Sequence, residues 1–173
     1  VSAAEQLLPY IKTEVRNGRL SIYTNKVFLN RRVKVFVAND SVFALRANGA
    51  SHIKVLNELK TSKLSLELTG ASQAHMIVNV AGQLDAEVTG ASYADIDGVA
   101  GSVDVEASGA SKLDADQLIS TKVTVEASGA SNARVFASET VDADASGASR
   151  IECIGSPKII KQSENMGSNV TIK

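Results

Sequence analysis

The chain has 173 residues, with 18 basic and 19 acidic side chains, a formal net charge of −1, four Phe, three Tyr and no Trp. This balanced, aromatic-poor composition argues against a nucleic-acid binder or a polybasic membrane-surface protein. The single cysteine, Cys153, allows neither an intrachain disulfide nor a cysteine-based metal site, and no apolar run approaches the roughly 18 residues of a membrane helix.

The first 40 residues predict short elements ahead of a repeat. The stretch "AAEQLLPY" favours a short helix that ends before Pro9, because the residue preceding a proline disfavours the helical conformation. The dipeptide "NG" in "EVRNGRLSIYT" lies between two alternating segments and is a strong hairpin signal. The stretch "RRVKVFVAN", residues 31–39, alternates like a strand with one apolar face made of Val33, Val35 and Val37.

The tripeptide Gly-Ala-Ser then recurs six times at intervals of 18 to 21 residues. Its glycines are Gly49, Gly70, Gly90, Gly109, Gly129 and Gly147. The positions six, four and two residues before each glycine are apolar, as are those four and six residues after it, from Phe43 to Cys153. The residues between them are mostly polar, and such alternation is typical of half-buried strands. A third inward ladder is predicted ten residues before the next glycine, at Val80, Val99, Ile119 and Ala137.

A repeat of this length favours a solenoid over an ordinary sandwich, which has no reason to repeat one unit. An extended chain rises about 3.3 Å per residue, so a repeat supplies roughly 60 Å of path, enough for a coil with two or three short sides. Coils would stack about 4.8 Å apart in register, so equivalent residues would lie directly above one another. We therefore predict an all-β, right-handed parallel β-helix (β-solenoid) with about 20 residues per coil and an N-terminal hairpin and cap region.

We interpret residues 1–173 as a single β-helix domain. Residues 1–40 would form the N-terminal coils and cap, and residues 41–155 the six Gly-Ala-Ser repeats. Residues 156–173 would form a C-terminal edge strand, where Lys158 and Lys161 discourage edge-to-edge pairing.

The tandem motifs "ELTGAS", "EVTGAS", "VEASGAS" and "DASGAS", with "LLPYIKTEVRNGRLSIYT" and "RRVKVFVAN" upstream, resemble the putative auto-transporter adhesin, head GIN domain family, a domain of unknown function common in Bacteroidetes. The resemblance covers essentially the whole chain. It implies a right-handed parallel β-helix-like fold and an exported protein, periplasmic or attached at the outer surface, and it brings no established catalytic residues. Family members usually carry an export or lipoprotein signal and an additional early strand upstream.

The chain begins at Val1 without a visible signal peptide, and we interpret it as a mature or trimmed fragment. We expect any membrane association to come only through a missing upstream anchor.

The Gly-Ala-Ser corner presents two polar rows as a candidate glycan or ice surface. The first row is Ser51, Ser72, Ser92, Ser111, Ser131 and Ser149. The second row is Asn48, Thr69, Thr89, Ser108, Ser128 and Ser146. Because the tripeptide recurs in every coil, a repeating backbone requirement explains it without a ligand, and we favour that interpretation. No histidine recurs beside the serines, so no nucleophilic serine is predicted.

Carboxylates before the corner form a second candidate site. They are Glu67, Glu87, Glu106, Glu126 and Asp144 in one row, and Asp85, Asp104 and Asp142 in another. Stacked carboxylates repel one another, and a cation such as Ca²⁺ held by Glu87, Glu106 and Glu126 would relieve that repulsion. Because the row is a single-file ladder rather than a cage, we favour a solvated stripe that maintains solubility.

Two varied rows after the corner form a third candidate site. One row is His52, Gln73, Tyr93, Lys112, Asn132 and Arg150, and the other is Lys54, His75, Asp95, Asp114, Arg134 and Glu152. A mixed polar face of this kind recognises carbohydrate or protein in some solenoids and is plain solvent-facing surface in others. Our candidate ligand-binding residues are Tyr93, Lys112, Asn132, Arg134 and Arg150.

The remaining reactive side chains are interpreted as structural or exposed. His52 and His75 differ by one strand step plus one coil, so we expect surface residues and no shared metal site. Cys153 occupies an inward position, which predicts a buried free thiol.

These features predict a non-enzymatic exported surface or periplasmic domain, an adhesin-like binding module that uses no cofactor. Its expected partners are a carbohydrate or a host or cell-surface protein, not nucleic acid, and a homo-oligomer is an open alternative. A polysaccharide lyase or hydrolase on the same scaffold and a structural self-assembly module also stay open. An enzyme would need irregular loops that gather acids and bases into a cleft, and the short coils leave little room for them.

Overall fold

The computed structural model of the chain describes residues 5–26, 33–39, 41–165 and 167–173. The chain divides into two compact units, Val1–Asp40 and Ser41–Lys173. Among the described residues, no helix is long and apolar enough to cross a membrane.

The first unit contains a short helix followed by a hairpin. The helix is a 3₁₀ helix over Glu5–Tyr10, and the hairpin pairs β1 (Ile11–Arg16) with β2 (Arg19–Thr24) antiparallel. Both turn residues have positive φ, 50° at Asn17 and 75° at Gly18, as a two-residue primed turn requires. The hairpin prediction is confirmed. The helix does not end before Pro9, because the fixed φ of proline near −65° matches 3₁₀ geometry.

The predicted strand at residues 31–39 is not formed where the structure describes it. Residues 33–39 contain only an isolated bridge at Lys34, and Val37 is 55% exposed. Val33 and Val35 are half-buried, while residues 31 and 32 lie outside the described part. Alternation in the sequence shows which side chains share a face, but a strand also needs a hydrogen-bonded partner, which the pattern does not supply. The role of residues 1–40 as a cap stays a prediction.

The second unit is a β-solenoid of about seven turns, with equivalent residues about 20 apart. Its strands, as described, are β3 (Ala44–Ala47), β4 (His52–Lys54), β5 (Leu59–Thr61), β6 (Leu64–Leu68), β7 (Gln73–Val88), β8 (Tyr93–Ala107), β9 (Lys112–Ala115), β10 (Leu118–Ala127), β11 (Asn132–Phe136), β12 (Thr140–Ala145), β13 (Arg150–Ile154), β14 (Ile159–Glu164) and β15 (Asn169–Ile172). Every pairing among them is parallel. The predicted solenoid is confirmed, and its handedness rests on crossover chirality.

The core is the stack of inward residues that the alternation predicts. Leu64, Leu84, Val125 and Ile151 are completely buried, and the same holds at nearly every equivalent position from β6 to β13. The first coil departs from this pattern, because Phe43 is 67% exposed and Leu45, Ile53 and Val55 are only partly buried. In this unit no coil precedes the first one, so its inward positions lack one of their two stacking neighbours.

The third inward ladder was assigned one residue out of register in two coils. Val99 and Ile119 are exposed, at 48% and 55%, whereas Ala100 and Ser120 are buried and stack in register with Val80. A register shift between Val80 and Gln83 adds a residue to one coil. Counting back from the next glycine therefore slips by one, and a slip of one reverses every side chain in a strand.

The C-terminal segment forms two strands where one edge strand was predicted. Strand β14 pairs with β12 and β15 with β13, so together they make a seventh coil. Every residue of β14 is exposed, including Ile159 and Ile160. The expected role of Lys158 and Lys161 in discouraging edge-to-edge pairing stays a prediction.

Candidate functional site

The Gly-Ala-Ser tripeptide is the corner of each coil, as predicted. Gly129 has φ of 74°, and a Cβ placed on it would lie 2.7 Å from the carbonyl oxygen of Gly109 in the coil before. The corner therefore requires glycine for two separate reasons, a left-handed backbone and the close approach of the neighbouring coil.

The serine of the corner points inward and does not offer its hydroxyl to a ligand. Ser131 donates to the carbonyl oxygen of Ala107 at 3.1 Å, and Ser149 to that of Ala127 at 2.9 Å. From Ser72 to Ser149 the row is at most 2% exposed, and only Ser111 Oγ has no partner among the described residues. The proposed hydroxyl row for a glycan or ice is wrong for the serines, and the backbone-satisfying interpretation is correct.

Sequence reasoning missed a seventh member of this row. Ser168 Oγ donates to the carbonyl oxygen of Ala145 at 2.8 Å. Ser131 and Ser149 make the equivalent bond, each to a residue of the coil before. Its local sequence, "MGSN", lacks the Gly-Ala-Ser order. The signal that finds it is its position 19 residues after Ser149.

The carboxylates before the corner form one face of the solenoid, here called the acidic face. The predicted rows exist, because in-register pairs join Glu67 to Glu87, Glu87 to Glu106, Glu106 to Glu126 and Glu126 to Asp144. Among the described residues, cations pair only with the ends of this face, through Arg46–Glu67 at 2.9 Å, Lys63–Asp85 at 3.1 Å and Lys161–Asp142 at 3.5 Å.

Two shallow, open depressions of about 220 and 320 Å³ lie along the acidic face. Among the residues that the structure describes, no cation pairs with Glu87, Glu106 or Glu126, and no group of three or more His, Cys, Asp and Glu is arranged to hold a metal ion. The candidate ligation of a cation by these three glutamates stays a prediction.

The two rows after the corner form another outward surface, here called the mixed-charge face. Register places Tyr93 beside Lys112, Lys112 beside Asn132, and Asn132 beside Arg150, so four of the five predicted ligand-binding residues lie in one row. Arg134 follows Asn132 by two residues on the same strand and belongs to the adjacent row. Spacings of about 4.8 Å between coils bring all five within reach of one bound molecule.

Tyr93 is held by its neighbours at one end of that row. The Lys112 ammonium lies 5.2 Å from the centre of the Tyr93 ring, and the His75 ring meets it edge-on at 5.6 Å. Burial and the nearby carboxylates of Asp95 and Asp114 raise the pKa of Tyr93 above its ordinary value of 10.0. The phenol therefore remains a neutral hydrogen-bond donor throughout the physiological range.

Arg134 lies at the centre of an ion-pair network. Its guanidinium is 2.5 Å from Asp116, 3.3 Å from Asp114 and 3.6 Å from Glu152. Partial burial lowers the pKa of Arg134, and the charges of these three carboxylates raise it. The carboxylates have the larger combined effect, so the pKa of Arg134 is raised. A hydrogen bond from Lys173, at 2.5 Å, lowers the pKa of Glu152 below its ordinary 4.5.

The same side of the solenoid contains a buried polar atom without a partner among the described residues, and a carboxyl group that is crowded by other carboxylates. The Oδ1 atom of Asn132 is buried and has no hydrogen-bond partner among the described residues. Burial, then the charges of Asp95 and Asp116, raises the pKa of Asp97 above its ordinary 3.8. The buried Asn132 oxygen is not accessible to a ligand, and the crowded carboxylates make this part of the face locally negative.

Two further predictions concern the reactive side chains. Cys153 is completely buried, and burial raises the pKa of its thiol, so the buried free thiol is confirmed. The prediction that His52 and His75 are surface residues is confirmed, since His52 is exposed and the His75 side chain is 37% exposed, and their ring centres are 5.3 Å apart. One strand step plus one coil is a diagonal cross-strand relationship, which long side chains span readily.

Solved structures with the same fold are known. A putative adhesin from Bacteroides fragilis superposes with a TM-score of 0.86 at 19% identity, over 98% of this chain and 79% of that one. A putative adhesin from Parabacteroides distasonis gives 0.71 at 18%, over 99% and 82%, and a putative lipid binding protein from the same organism gives 0.65 at 17%, over 98% and 81%. No curated protein matches the chain. The family model described as putative auto-transporter adhesin, head GIN domain, matches residues 1–157, and the chain belongs to that family.

Proposed function

We propose that this chain is a non-enzymatic binding module, exported to the periplasm or the outer cell surface, that engages its partner through the mixed-charge face. Membership of a family described as adhesins supports a surface binding module. The structural neighbours come from Bacteroides and Parabacteroides, which supports an origin in the Bacteroidetes. The observation that carries the proposal is the in-register row of Tyr93, Lys112, Asn132 and Arg150 on one outward sheet face.

The chemistry of that row favours a partner rich in oxygen acceptors. Lys112 and Arg150 are exposed cations on either side of Asn132, and Tyr93 adds a neutral hydroxyl. Hydroxyls and carboxylates of a carbohydrate, or the polar surface of a host or cell-surface protein, match these donors. Each strand holds the backbone of its residue in a fixed register, so binding orders only side chains, at a cost of roughly 0.5–1.5 kcal/mol for each one immobilised.

A binding screen with matched surface variants tests the proposal. The wild-type chain is presented to a glycan array and a panel of extracellular-matrix proteins. The combined variant Lys112→Ala/Arg150→Ala is expected to lose at least about tenfold in apparent affinity for any partner found, because two charge-assisted hydrogen bonds are removed. The control, Glu106→Gln/Glu126→Gln on the acidic face, is expected to bind like wild type.

Four results would count against this proposal. Silence across both panels would remove its support. A partner lost only in the acidic-face variant would place the interaction elsewhere. Turnover of a panel of uronans by the wild-type chain would favour the lyase or hydrolase alternative, and a concentration-dependent solution mass would favour the self-assembly module.

A further inference from the structure

The chain contains two histidines in total, and both meet on the mixed-charge face. His52 lies on β4 in register with Gln73 of β7, and His75 follows Gln73 by two residues on the same outward side. Their rings are 5.3 Å apart at 47° to each other. Residues separated by 23 positions in the sequence are thus brought into side-chain contact by the stacking of two coils.

His75 is already oriented as a metal-binding histidine would be. Its Nδ1 lies 3.0 Å from Oδ2 of Asp95 in the next coil. When Nδ1–H donates to that carboxylate, the lone pair of the neutral ring is on Nε2, which is the arrangement that a carboxylate commonly imposes on metal-ligating histidines. The ring of Tyr93, edge-on at 5.6 Å, packs against His75 and limits its rotation.

We propose that His52 and His75 bind a divalent transition metal ion, Cu²⁺, Ni²⁺ or Zn²⁺, between their imidazoles. Metal-to-imidazole bonds are about 2.0–2.1 Å long, so two rings that share one ion have centres about 5–6 Å apart. The observed 5.3 Å lies in that range. Imidazole nitrogen selects these ions over Ca²⁺ and Mg²⁺, which prefer oxygen ligands.

The surroundings set the character of the site. The described residues offer no group of three His, Cys, Asp or Glu at metal-binding geometry, so the site has two protein ligands and water completes the coordination. His75 is 37% exposed at its side chain and His52 is exposed, so an ion enters directly from solvent. Asp95 favours the bound cation, and Lys54, in register with His75, opposes it. Such a site holds metal in rapid exchange rather than permanently.

The test uses untagged full-length chain, because a histidine tag would mask the site. Zn²⁺ is titrated into the protein by calorimetry, and the two histidine ring signals are followed by NMR. Wild type is expected to bind one ion with both ring signals shifting at the same stoichiometry. His52→Ala and His75→Ala are each expected to weaken binding at least about tenfold, with no further loss in the double variant, because either change removes two-point ligation.

Two further variants distinguish this site from the acidic face. Asp95→Asn is expected to weaken Zn²⁺ binding by about tenfold with both imidazoles still present, since partners of the ligands typically contribute 10- to 100-fold. Glu106→Gln/Glu126→Gln is expected to leave it unchanged.

The proposal fails if the double histidine variant binds Zn²⁺ with wild-type affinity, or if only the acidic-face variant loses binding. It also fails if the two ring signals titrate independently, because the histidines would then act as separate surface groups. All single changes lie on exposed or half-exposed side chains, and circular dichroism confirms that each variant retains its fold.

Discussion

The acidic face and the mixed-charge face are built from the same coils on either side of the same corner, yet their electrostatics differ. On the acidic face the repeated residue is nearly constant, so stacking places Glu87, Glu106 and Glu126 next to one another without a cation between them. On the mixed-charge face the equivalent position changes from coil to coil, and stacking places Arg134 beside Asp114 and Glu152.

In-register stacking therefore turns similarity between charged repeats into repulsion, and it allows attraction where neighbouring coils carry opposite charges. Unit charges about 5 Å apart in water interact by on the order of 1 kcal/mol before screening, in either direction. We expect the constant acidic row to discourage self-association, and we propose the varied row as the surface that engages a partner. Substitutions at the corner and on each of the two faces test this contrast.

The comparison rests on the stacking itself, which the corner glycines permit. Gly129→Ala is expected to lower the free energy of unfolding by about 2–4 kcal/mol, because it combines a left-handed backbone with a clash against the Gly109 carbonyl. Gly49→Ala, the matched control, has nearly the same φ of 71° with nothing within 4 Å and is expected to cost about 1–2 kcal/mol. Urea denaturation measures both, and equal costs would show that the contact between coils contributes nothing.

Removing the central cation of the mixed-charge face should destabilise the solenoid. Arg134→Met is expected to lower the free energy of unfolding by about 1 kcal/mol, because Asp114, Asp116 and Glu152 lose a shared partner. This value is at the upper end of the range for exposed ion pairs. Lys122→Met, at an exposed position of β10, is the matched control and should change stability little. If Arg134→Met destabilises the chain no more than the control does, the ion-pair network contributes no net stability.

Removing a charge from the acidic face should have the opposite sign. Glu126→Gln is expected to leave stability unchanged or raise it by up to about 0.5 kcal/mol at low salt, because it relieves repulsion from Glu106 and Asp144. Raising the salt concentration to about 0.5 M should abolish the gain, since screening shortens the range of exposed charges. A loss of stability that persists at high salt would contradict the repulsive ladder.

Two carboxylates, Glu152 of the mixed-charge face and Asp97 two residues after Asp95, are expected to change stability with pH in opposite directions. The pKa of Glu152 is lowered in the fold, so the stability it contributes is present above 4.5 and is lost as the pH falls through its folded value. The pKa of Asp97 is raised in the fold, so its ionisation destabilises above that raised value, and the penalty disappears below 3.8.

Stability measured against pH distinguishes the two carboxylates. At neutral pH, Glu152→Gln should therefore destabilise and Asp97→Asn should stabilise. Both differences should vanish in acid, and an effect of the same sign for the two variants would contradict the assigned pKa directions.

Much of the fold could be predicted because the same alternation of apolar and polar residues, and hence the same strand register, recurs in every repeat. The alternation around each Gly-Ala-Ser corner identified the inward residues from Leu64 to Cys153 correctly. The errors lie where the repeat is interrupted or absent. They are the one-residue slip at Val99 and Ile119, the exposed Phe43 in the first coil, and the segment 33–39, where a pattern had no partner strand.

The candidate site was predicted in part. The row from Tyr93 to Arg150 follows from spacing alone, because residues one repeat apart must stack. The ion pairs of Arg134 and the buried oxygen of Asn132 depend on side-chain rotamers, which spacing does not determine. No shared metal site was predicted for His52 and His75, because their positions are diagonal. Their ring contact depends on which rotamers the neighbouring Asp95 and Tyr93 allow.

The sequence by itself determined the solenoid, its corners, its core and the membership of its outward rows, because backbone sterics and burial of apolar side chains repeat in every coil. Only the tertiary structure decided which members of those rows meet. Hydrogen bonds and ion pairs require side chains within about 3 Å, and that distance depends on side-chain conformation and on one-residue shifts between coils.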